Sequence, residues 1–386
     1  MLSSVAGIFD LNIAVEDCPM SASRRWTRES IRLIEADFQR SADTHLIALP
    51  LPGFPGINLY FKDESSHPTG SLKHRLARSL FLYALCNGWL RAGAPVIEAS
   101  SGSTAVSEAY FARLLGLPFI AVMPASTSPE KIAQIAFYSG QSHLVGDPSQ
   151  LHAESQRLAE QHGGHFMDQF TYAERATDWR ANNNIAESIY QQMRHEPHPE
   201  PTWLISSAGT GGTLATLGRY VRYSQHATRV LCADAERSVF YDSYRTGDRS
   251  LTQAYGSRIE GIGRPQVERS FMPQVLDAMC RVPDALSLAG MHYLSCRLGR
   301  RVGGSSGTNL LGALLVAQRM QAAGEQGSLV AILCDGGERY ATTYYDQSWL
   351  ASQGFALEPL IAQVAACAEH GAPLPTEFTD SALWRD

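Results

Sequence analysis

Short apolar, β-rich runs alternate with helical patterns along most of this chain, and this alternation limits its fold more than any other feature. From about residue 95 onward, VIEAS (96–100), FIAVM (119–123) and SHLV (142–145) each precede a helical segment. The order returns in the second half, where WLISS, RVLCAD and SLVAILC are the apolar runs. Repeats of strand, helix and strand build parallel sheets that carry helices on their faces.

We therefore predict an α/β protein with two doubly wound, open-sheet domains. The expected divisions are an N-terminal extension with one helix (1–40), an N-terminal domain (41–175), a C-terminal domain (176–350) and a C-terminal tail (351–386). The prediction leaves open that residues 41–61 cross to the other domain. In such sheets, ligands bind where the C-terminal ends of strands meet the N-termini of helices.

Composition indicates a protein that works on a small molecule. The 386 residues are 44% hydrophobic and 18% charged, which is typical of globular proteins with large cores. The net charge of -6 and the absence of a long basic run argue against nucleic-acid binding. No apolar stretch approaches the length of about 18 residues that a membrane helix needs, and the N-terminus lacks a basic signal segment. We expect a cytoplasmic protein that does not contact membranes.

Two histidine pairs have the spacing of metal ligands but lack a shared helical face and further ligands nearby. Glycines separate His162 from His165, and a proline stands between His195 and His198, so neither pair shares a helical face. No cysteine or carboxylate cluster accompanies them. We expect no metal site.

The run SSAGTGGT (206–213) follows an apolar strand and opens a helix. Glycines allow several backbone N–H groups to converge, and a helix N-terminus adds partial positive charge, so the run suits a phosphate dianion. The nucleotide-binding patterns GxxxxGK[ST] and GxGxxG with a later acid do not occur here. Taken alone, the run is equally consistent with a structural turn.

The run EASSGST (98–104) also joins a strand to a helix. Its hydroxyl groups, together with the N–H groups of the helix start, suit a carboxylate. Serine and threonine are also ordinary helix caps, and this alternative stays open. A third turn, EGIG (260–263), is by itself only a flexible turn.

Lys73 lies in PTGSLKHR (68–75), directly after a Thr-Gly-Ser turn and in the first turn of a predicted helix. An amine buried there would have a lowered pKa and could form a Schiff base. The alternative from the residues alone is an exposed basic helix face that also contains His74 and Arg75.

The run GGSSGTN (303–309) contains the pattern G-x-S-x-G ahead of a predicted helix from Thr308 to Ala323. Ser305, Asp335 and His370 follow the residue order of α/β-hydrolases. The preceding GRRV is a poor buried strand, and His370 lies in the tail. A serine hydrolase is therefore a remote alternative.

Together with DGGERY (335–340), these motifs occur in the order and approximate spacing of a known family. Over about residues 40–350 the chain resembles the fold type II pyridoxal-phosphate enzymes, the cysteine synthase and cystathionine β-synthase family. The resemblance implies a fold like the tryptophan synthase β-subunit, with pyridoxal 5'-phosphate in the cleft between two domains. The longer runs 35–46, 63–89 and 98–124 resemble the bacterial L-cysteine desulfhydrase branch.

The resemblance implies roles for individual residues. Lys73 would hold the cofactor as a Schiff base and carry the α-proton, and Ser305 would bind the pyridine nitrogen. The residues expected at the phosphate are Gly209, Thr210, Gly211, Gly212 and Thr213. The residues expected at the substrate carboxylate are Ser100, Ser101, Thr104 and Gln169. Where the family has an asparagine that contacts the cofactor's 3' oxygen, this chain has Ser103, whose shorter side chain can reach that oxygen through water.

A neutral serine at the ring nitrogen leaves the pyridine largely unprotonated, which disfavours transamination and favours direct loss of a β leaving group. The resemblance thus implies α,β-elimination on L-cysteine, which gives pyruvate, ammonia and hydrogen sulfide. A cysteine synthase or related β-replacement enzyme using O-acetylserine or serine is the first alternative, because both reactions pass through the same intermediate. A non-catalytic ligand-binding protein is a further alternative.

The resemblance also implies a homodimer. Near the N-terminus, Cys18 and Pro19 form a pair of the kind that can bind haem, but a surface cysteine in a loose segment is the expectation.

Overall fold

A computed structural model describes residues 21–40, 43–180 and 184–385 of the chain. The pair Cys18 and Pro19 lies outside the described residues. The strands are β1 (His45–Leu49), β2 (Ile57–Asp63), β3 (Val96–Ala99), β4 (Phe119–Pro124), β5 (Gln141–Val145), β6 (His165–Phe166), β7 (Trp203–Ser206), β8 (Arg229–Ala235), β9 (Ala278–Val282), β10 (Gly327–Leu333) and β11 (Leu383–Trp384).

Helices cover both sheets that these strands form. They are α1 (Ala22–Gln39), α2 (Lys73–Cys86), α3 (Ser103–Leu114), α4 (Pro129–Phe137), α5 (Leu151–His162), α6 (Gln169–Ala176), α7 (Ile185–Met193), α8 (Gly212–Tyr223), α9 (Phe240–Thr246), α10 (Asp284–Leu298), α11 (Gly304–Ala322), α12 (Gln347–Ser352), α13 (Glu358–His370) and α14 (Thr376–Thr379). Among the described residues, no helix combines the length and the apolar character needed to cross a membrane.

The strands form two open sheets, as the sequence predicts. One has seven strands in the order β1-β2-β10-β7-β8-β9-β11, and the other has four in the order β5-β4-β3-β6. Neighbours pair in parallel, except that β1 runs antiparallel to β2 and β11 runs antiparallel to β9. The predicted α/β class is confirmed.

Segments from both ends of the chain complete the seven-stranded sheet. β2 pairs with β10, so that Leu59 lies beside Leu329, although these residues are far apart in sequence. The C-terminal segment packs on the same core through α13, where Val364 and Cys367 are fully buried. Its strand β11 extends the opposite edge of the sheet.

The helix α2 packs against the smaller sheet's helices through a regular apolar stripe. Ala77, Leu80, Phe81 and Ala84 recur at helical spacing and are almost completely buried. They share a core cluster with Phe111 of α3 and residues of α1. This packing fixes the direction of α2 and therefore the position of its first residue, Lys73.

The helix α11 begins at Gly304, four residues before the predicted start at Thr308, so the prediction is wrong there. GGSSGTN is the first part of a helix, not a loop. Its glycine serves close packing, because a Cβ on Gly307 would lie 2.1 Å from the Ser287 carbonyl oxygen of α10. Glycine marks turns and tight helix contacts alike, and the sequence does not separate the two.

Candidate active site

Lys73 is the first residue of α2, and the turn before it is fastened to the end of β10. The backbone N–H of Leu72 donates to the Cys334 carbonyl oxygen at 2.8 Å, and the Gly336 N–H donates to the Gly70 carbonyl oxygen at 3.1 Å. Gly70 has a φ of 72°, which favours glycine. Lys73 therefore lies at the C-terminal edge of the seven-stranded sheet, where ligands bind in such folds.

The surroundings of Lys73 increase the share of its neutral amine. Burial lowers the pKa of Lys73, the nearby Arg339 charge lowers it further, and Cys334 and Asp335 oppose these effects. A neutral amine can act as a nucleophile and as a base, whereas an ammonium cannot.

The glycine loop between β7 and α8 lies next to this amine. A Cβ on Gly209 would be 2.2 Å from the Gly261 carbonyl oxygen and 3.9 Å from the Nζ atom of Lys73. Gly211 has a φ of 91°, and a Cβ there would lie 2.8 Å from the Cα atom of Phe271. Any side chain at Gly209 or Gly211 would therefore clash with the neighbouring backbone. The EGIG turn, through Gly261, packs directly against this loop.

The loop presents hydrogen-bond donors. The helix α8 starts at Gly212 without a side-chain cap, and Lys73, Thr210, Gly212 and Thr213 line one small cavity. The Thr210 hydroxyl accepts a bond from the Gly212 N–H at 3.2 Å. The Ser207 hydroxyl is buried and has no hydrogen-bond partner among the described residues. Apart from the Gly212 N–H, the N–H groups at this helix start have no side-chain cap and are a ready site for an anion.

The predicted carboxylate loop joins β3 to α3. The Ser100 hydroxyl accepts from the Gly102 N–H at 3.2 Å, and Thr104 donates to the Gln169 side-chain oxygen at 2.8 Å. Ser101 lies in the same loop and is partly buried. The helix α3 has no side-chain cap, so the hydroxyl groups do not serve as ordinary caps. The structure thus brings Thr104 and Gln169 together at an open helix N-terminus.

Ser305 lies in the first turn of α11 and is only 3% exposed. The Ser305 hydroxyl adjoins the thiol of Cys334. Burial, with a smaller contribution from Asp335, raises the pKa of that thiol to about 11, so the thiol is neutral at physiological pH. Because Cys334 also faces Lys73, Ser305 and Lys73 line the same region of the cleft.

A family model described as pyridoxal-phosphate dependent enzyme matches residues 39–335 of the chain. The chain belongs to this family. It is 59% identical to "L-cysteine desulfhydrase Cds1" of Mycobacterium tuberculosis over 338 residues, which cover 86% of this chain and 92% of that protein. It is 27% identical to "Cysteine synthase" of Dictyostelium discoideum, over 79% of this chain and 82% of that protein.

A crystal structure of O-ureido-L-serine synthase has the same fold. Its TM-score is 0.66 at 26% sequence identity, and the match covers 80% of this chain and 96% of that chain. The resemblance to the cysteine synthase and cystathionine β-synthase family, and to its L-cysteine desulfhydrase branch, is confirmed by these relatives.

The described residues of this pyridoxal-phosphate dependent enzyme fit its cofactor. The cofactor has a phosphate group, which suits the uncapped start of α8, and an aldehyde, which needs a lysine. The sequence contains three lysines. Lys62 is buried and donates to the Thr44 carbonyl oxygen at 2.8 Å, and Lys131 pairs with Glu260 at 2.9 Å. Lys73 is the lysine that adjoins the glycine loop.

The hydrolase alternative does not have the geometry of a catalytic triad. His370 is exposed at the end of α13, whereas Ser305 is buried. Asp335 accepts a hydrogen bond from the Tyr340 hydroxyl at 2.6 Å. Within residues 21–40, 43–180 and 184–385, no hydrogen bond joins His370 to Ser305 or Asp335. The same residues contain no group of three potential metal ligands.

Arg339 also reaches this region and is not among the residues predicted from the sequence. Its guanidinium donates through Nη1 to the hydroxyl of Ser103, so Ser103 is already engaged by a side chain from the other end of the chain. The signal for Arg339 in the sequence is the run DGGERY (335–340), which contains it.

Proposed function

We propose that this enzyme catalyses α,β-elimination on L-cysteine and acts as an L-cysteine desulfhydrase. The observation that carries the proposal is the 59% identity to the mycobacterial L-cysteine desulfhydrase over 92% of its length. The cysteine synthases of the same family are much more distant, at 24–29% identity.

Lys73 is proposed as the residue that binds the cofactor and moves the α-proton. When bound, the cofactor supplies an electron sink that is conjugated with the substrate's α-carbon. The Nζ atom of Lys73, released when the substrate amine takes its place, accepts the α-proton. Its burial supports this role, because burial lowers the pKa of the amine toward the range in which it can act as a base.

The remaining predicted residues are proposed to bind and orient the reactants. Gly209 to Thr213 would hold the phosphate at the N-terminus of α8, and Ser305 would donate to the ring nitrogen or accept from it without adding charge. Ser100, Ser101, Thr104 and Gln169 would hold the substrate carboxylate at the N-terminus of α3. The bond between Thr104 and Gln169 supports this, because it fixes both side chains in one orientation.

The proposed reaction consumes one water molecule and needs no oxidant. L-Cysteine loses its α-proton to Lys73 and its sulfur leaves as hydrogen sulfide after taking up a proton. The resulting three-carbon enamine takes up water and separates into pyruvate and ammonia.

The direct test is an assay of purified holoenzyme with L-cysteine, in which sulfide and pyruvate are both measured. We expect equal amounts of the two products and little cysteine formed from O-acetylserine and sulfide. Faster formation of cysteine from O-acetylserine than release of sulfide from cysteine would instead establish β-replacement. That alternative is favoured by the cysteine synthase relatives and by the fold of O-ureido-L-serine synthase.

We also propose the domain limits 41–175 and 176–350, a homodimer and a cytoplasmic location. The pairing of β2 with β10 supports a crossing of residues 41–61 to the second domain. The homodimer rests on the family resemblance, and light scattering of the purified protein tests it by giving the mass in solution.

A further inference from the structure

Arg339 extends from the turn Glu338–Tyr340, which follows β10, to the first turn of α3. Its Nη1 atom donates to the hydroxyl of Ser103. Its Nη2 atom is buried and has no hydrogen-bond partner among the described residues. A buried guanidinium N–H group without a partner is costly, so this atom is expected to bind something that the polypeptide itself does not provide.

The unpaired Nη2 atom adjoins a second feature that favours an anion. The helix α3 is 12 residues long and starts after Gly102 with no side-chain cap. Its first N–H groups therefore have no side-chain partner, and the positive end of its dipole lies beside Ser103. A guanidinium and an open helix N-terminus, contributed by two different parts of the chain, meet at Ser103.

An anion bound by Arg339 would lie close to Lys73. The segment that carries Arg339 is joined to the turn before Lys73, because Gly336 donates to the Gly70 carbonyl oxygen at 3.1 Å and Asp335 forms a bridge with Ser71. The arginine charge accordingly lowers the pKa of Lys73. Burial lowers the pKa of Arg339, but Tyr340, Asp335 and Glu260 raise it overall, so the guanidinium stays charged. In an amino acid, the carboxylate is attached to the carbon that Lys73 is proposed to deprotonate, so a group that binds this carboxylate has to lie near Lys73.

We propose that Arg339 binds the α-carboxylate of the substrate and that Ser103 orients it. The planar guanidinium matches a carboxylate, and Ser103 holds one of its nitrogens so that the other faces the ligand. Ser103 is then a positioning residue for Arg339. This role differs from the contact with the cofactor's 3' oxygen that the sequence predicts for Ser103. The inference rests on the proposed function, because it assigns a carboxylate contact in the same site.

The test compares two ligands that cannot undergo elimination, L-alanine and L-alaninamide, which differ in the carboxylate. Each is titrated into the holoenzyme while the cofactor absorption band is followed, and the dissociation constants are compared. Arg339→Met should weaken L-alanine binding about 10- to 100-fold, as expected for loss of a charge-assisted bond. The change for L-alaninamide should stay below about 3-fold.

Two further variants and a control complete the design. Ser103→Ala should weaken L-alanine binding less, about 3- to 10-fold, because the guanidinium remains but loses its support. Arg339→Lys keeps the charge, so its dissociation constant for L-alanine should lie between those of the wild type and Arg339→Met. Arg319→Met is the control, because Arg319 is exposed and stacks on Trp384 outside the cleft.

The outcomes separate this inference from the proposed function. Equal weakening for both ligands, or no weakening for L-alanine, would overturn the assignment of Arg339. If Arg339→Met does not retain cofactor, the dissociation constants of the two ligands for Arg339→Lys and Ser103→Ala decide whether Arg339 binds the carboxylate. If the cofactor band of the wild type responds to both ligands but L-cysteine yields no sulfide, the desulfhydrase proposal is contradicted. The carboxylate assignment is then still decided by comparing the dissociation constants of L-alanine and L-alaninamide.

Discussion

Lys73, His74 and Arg75 form a basic triplet in the sequence, yet His74 is 7% and Arg75 is 6% exposed. Arg75 forms two bonds of 2.9 Å with the buried carboxylate of Glu64. A third bond of 2.9 Å joins it to Asp43. The charge on Arg75 is thus paired with two carboxylates and holds the start of α2, whereas Lys73 adjoins the glycine loop.

Glu98 lies beneath the carboxylate loop and is fully buried. It accepts bonds from the backbone and side-chain nitrogens of Gln169, both at 3.3 Å. Burial and, to a lesser extent, the charge of Asp168 raise the pKa of Glu98 to about 8, although the bonds from Gln169 oppose the shift. The folded protein therefore holds a proton on Glu98 at a pH at which the unfolded chain has released it.

The sign of the resulting pH dependence is fixed. This contribution to stability is fully present below the unfolded pKa of about 4.5 and is lost as the pH rises through about 8. Between these values, the free energy of unfolding should fall by up to about 1.4 kcal/mol per pH unit from this group. Urea denaturation at several pH values should show this slope in the wild type and a flatter one in Glu98→Gln. Parallel curves would contradict the assignment.

The helices α10 and α11 approach closely at two glycines. A Cβ on Gly307 would lie 2.1 Å from the Ser287 carbonyl oxygen, and a Cβ on Gly290 would lie 2.4 Å from the Leu311 side chain. This contact fixes the first turn of α11 and with it Ser305. The two helices therefore set the position of one wall of the cleft.

Gly307→Ala should destabilise the protein by about 1–3 kcal/mol, because the methyl group forces the helices apart. The higher helix propensity of alanine would alone stabilise it by about 1 kcal/mol, so the two effects have opposite signs. Thermal or urea unfolding measures the difference. Gly146→Ala is the matched control, since a Cβ there meets no atom within 4 Å. An unchanged or raised stability of Gly307→Ala would contradict the close contact.

At the level of elements, the alternation of apolar and helical segments predicts the parallel strands well. RVLCAD and SLVAILC lie within β8 and at β10, and the parallel pairing follows from their order. The start of α11 could not be predicted, because the partner of Gly307 lies on another helix. The contact of Ser103 with Arg339 could not be predicted either, since 236 residues separate them.

Across the whole molecule, the C-terminal segment belongs to the core of the larger sheet, although its role was not predictable from its mixed sequence. Val364 and Cys367 of α13 are fully buried in the cluster that also contains Leu329 of β10. The close approach of Gly53 to Gly371 ties the same segment to the turn before β2.

Val364→Asp should therefore destabilise the entire fold by several kcal/mol, because it buries a carboxylate without a partner. Gln363→Asp is the control, because it places the same side chain at the exposed neighbouring position of the same helix. Urea unfolding followed by circular dichroism measures both. Similar stabilities of the two variants would contradict the packing of α13 on this core.

Attachment of the cofactor to Lys73 is the step on which every other proposed residue role depends. The holoenzyme is reduced with borohydride and digested, and the peptide that carries the cofactor is identified by mass spectrometry. Because the sequence contains only three lysines, the result is unambiguous. We expect the label on Lys73, together with loss of the cofactor absorption band and no label in Lys73→Ala. A label on Lys62 or Lys131, or an unchanged spectrum in Lys73→Ala, would contradict the attachment of the cofactor to Lys73.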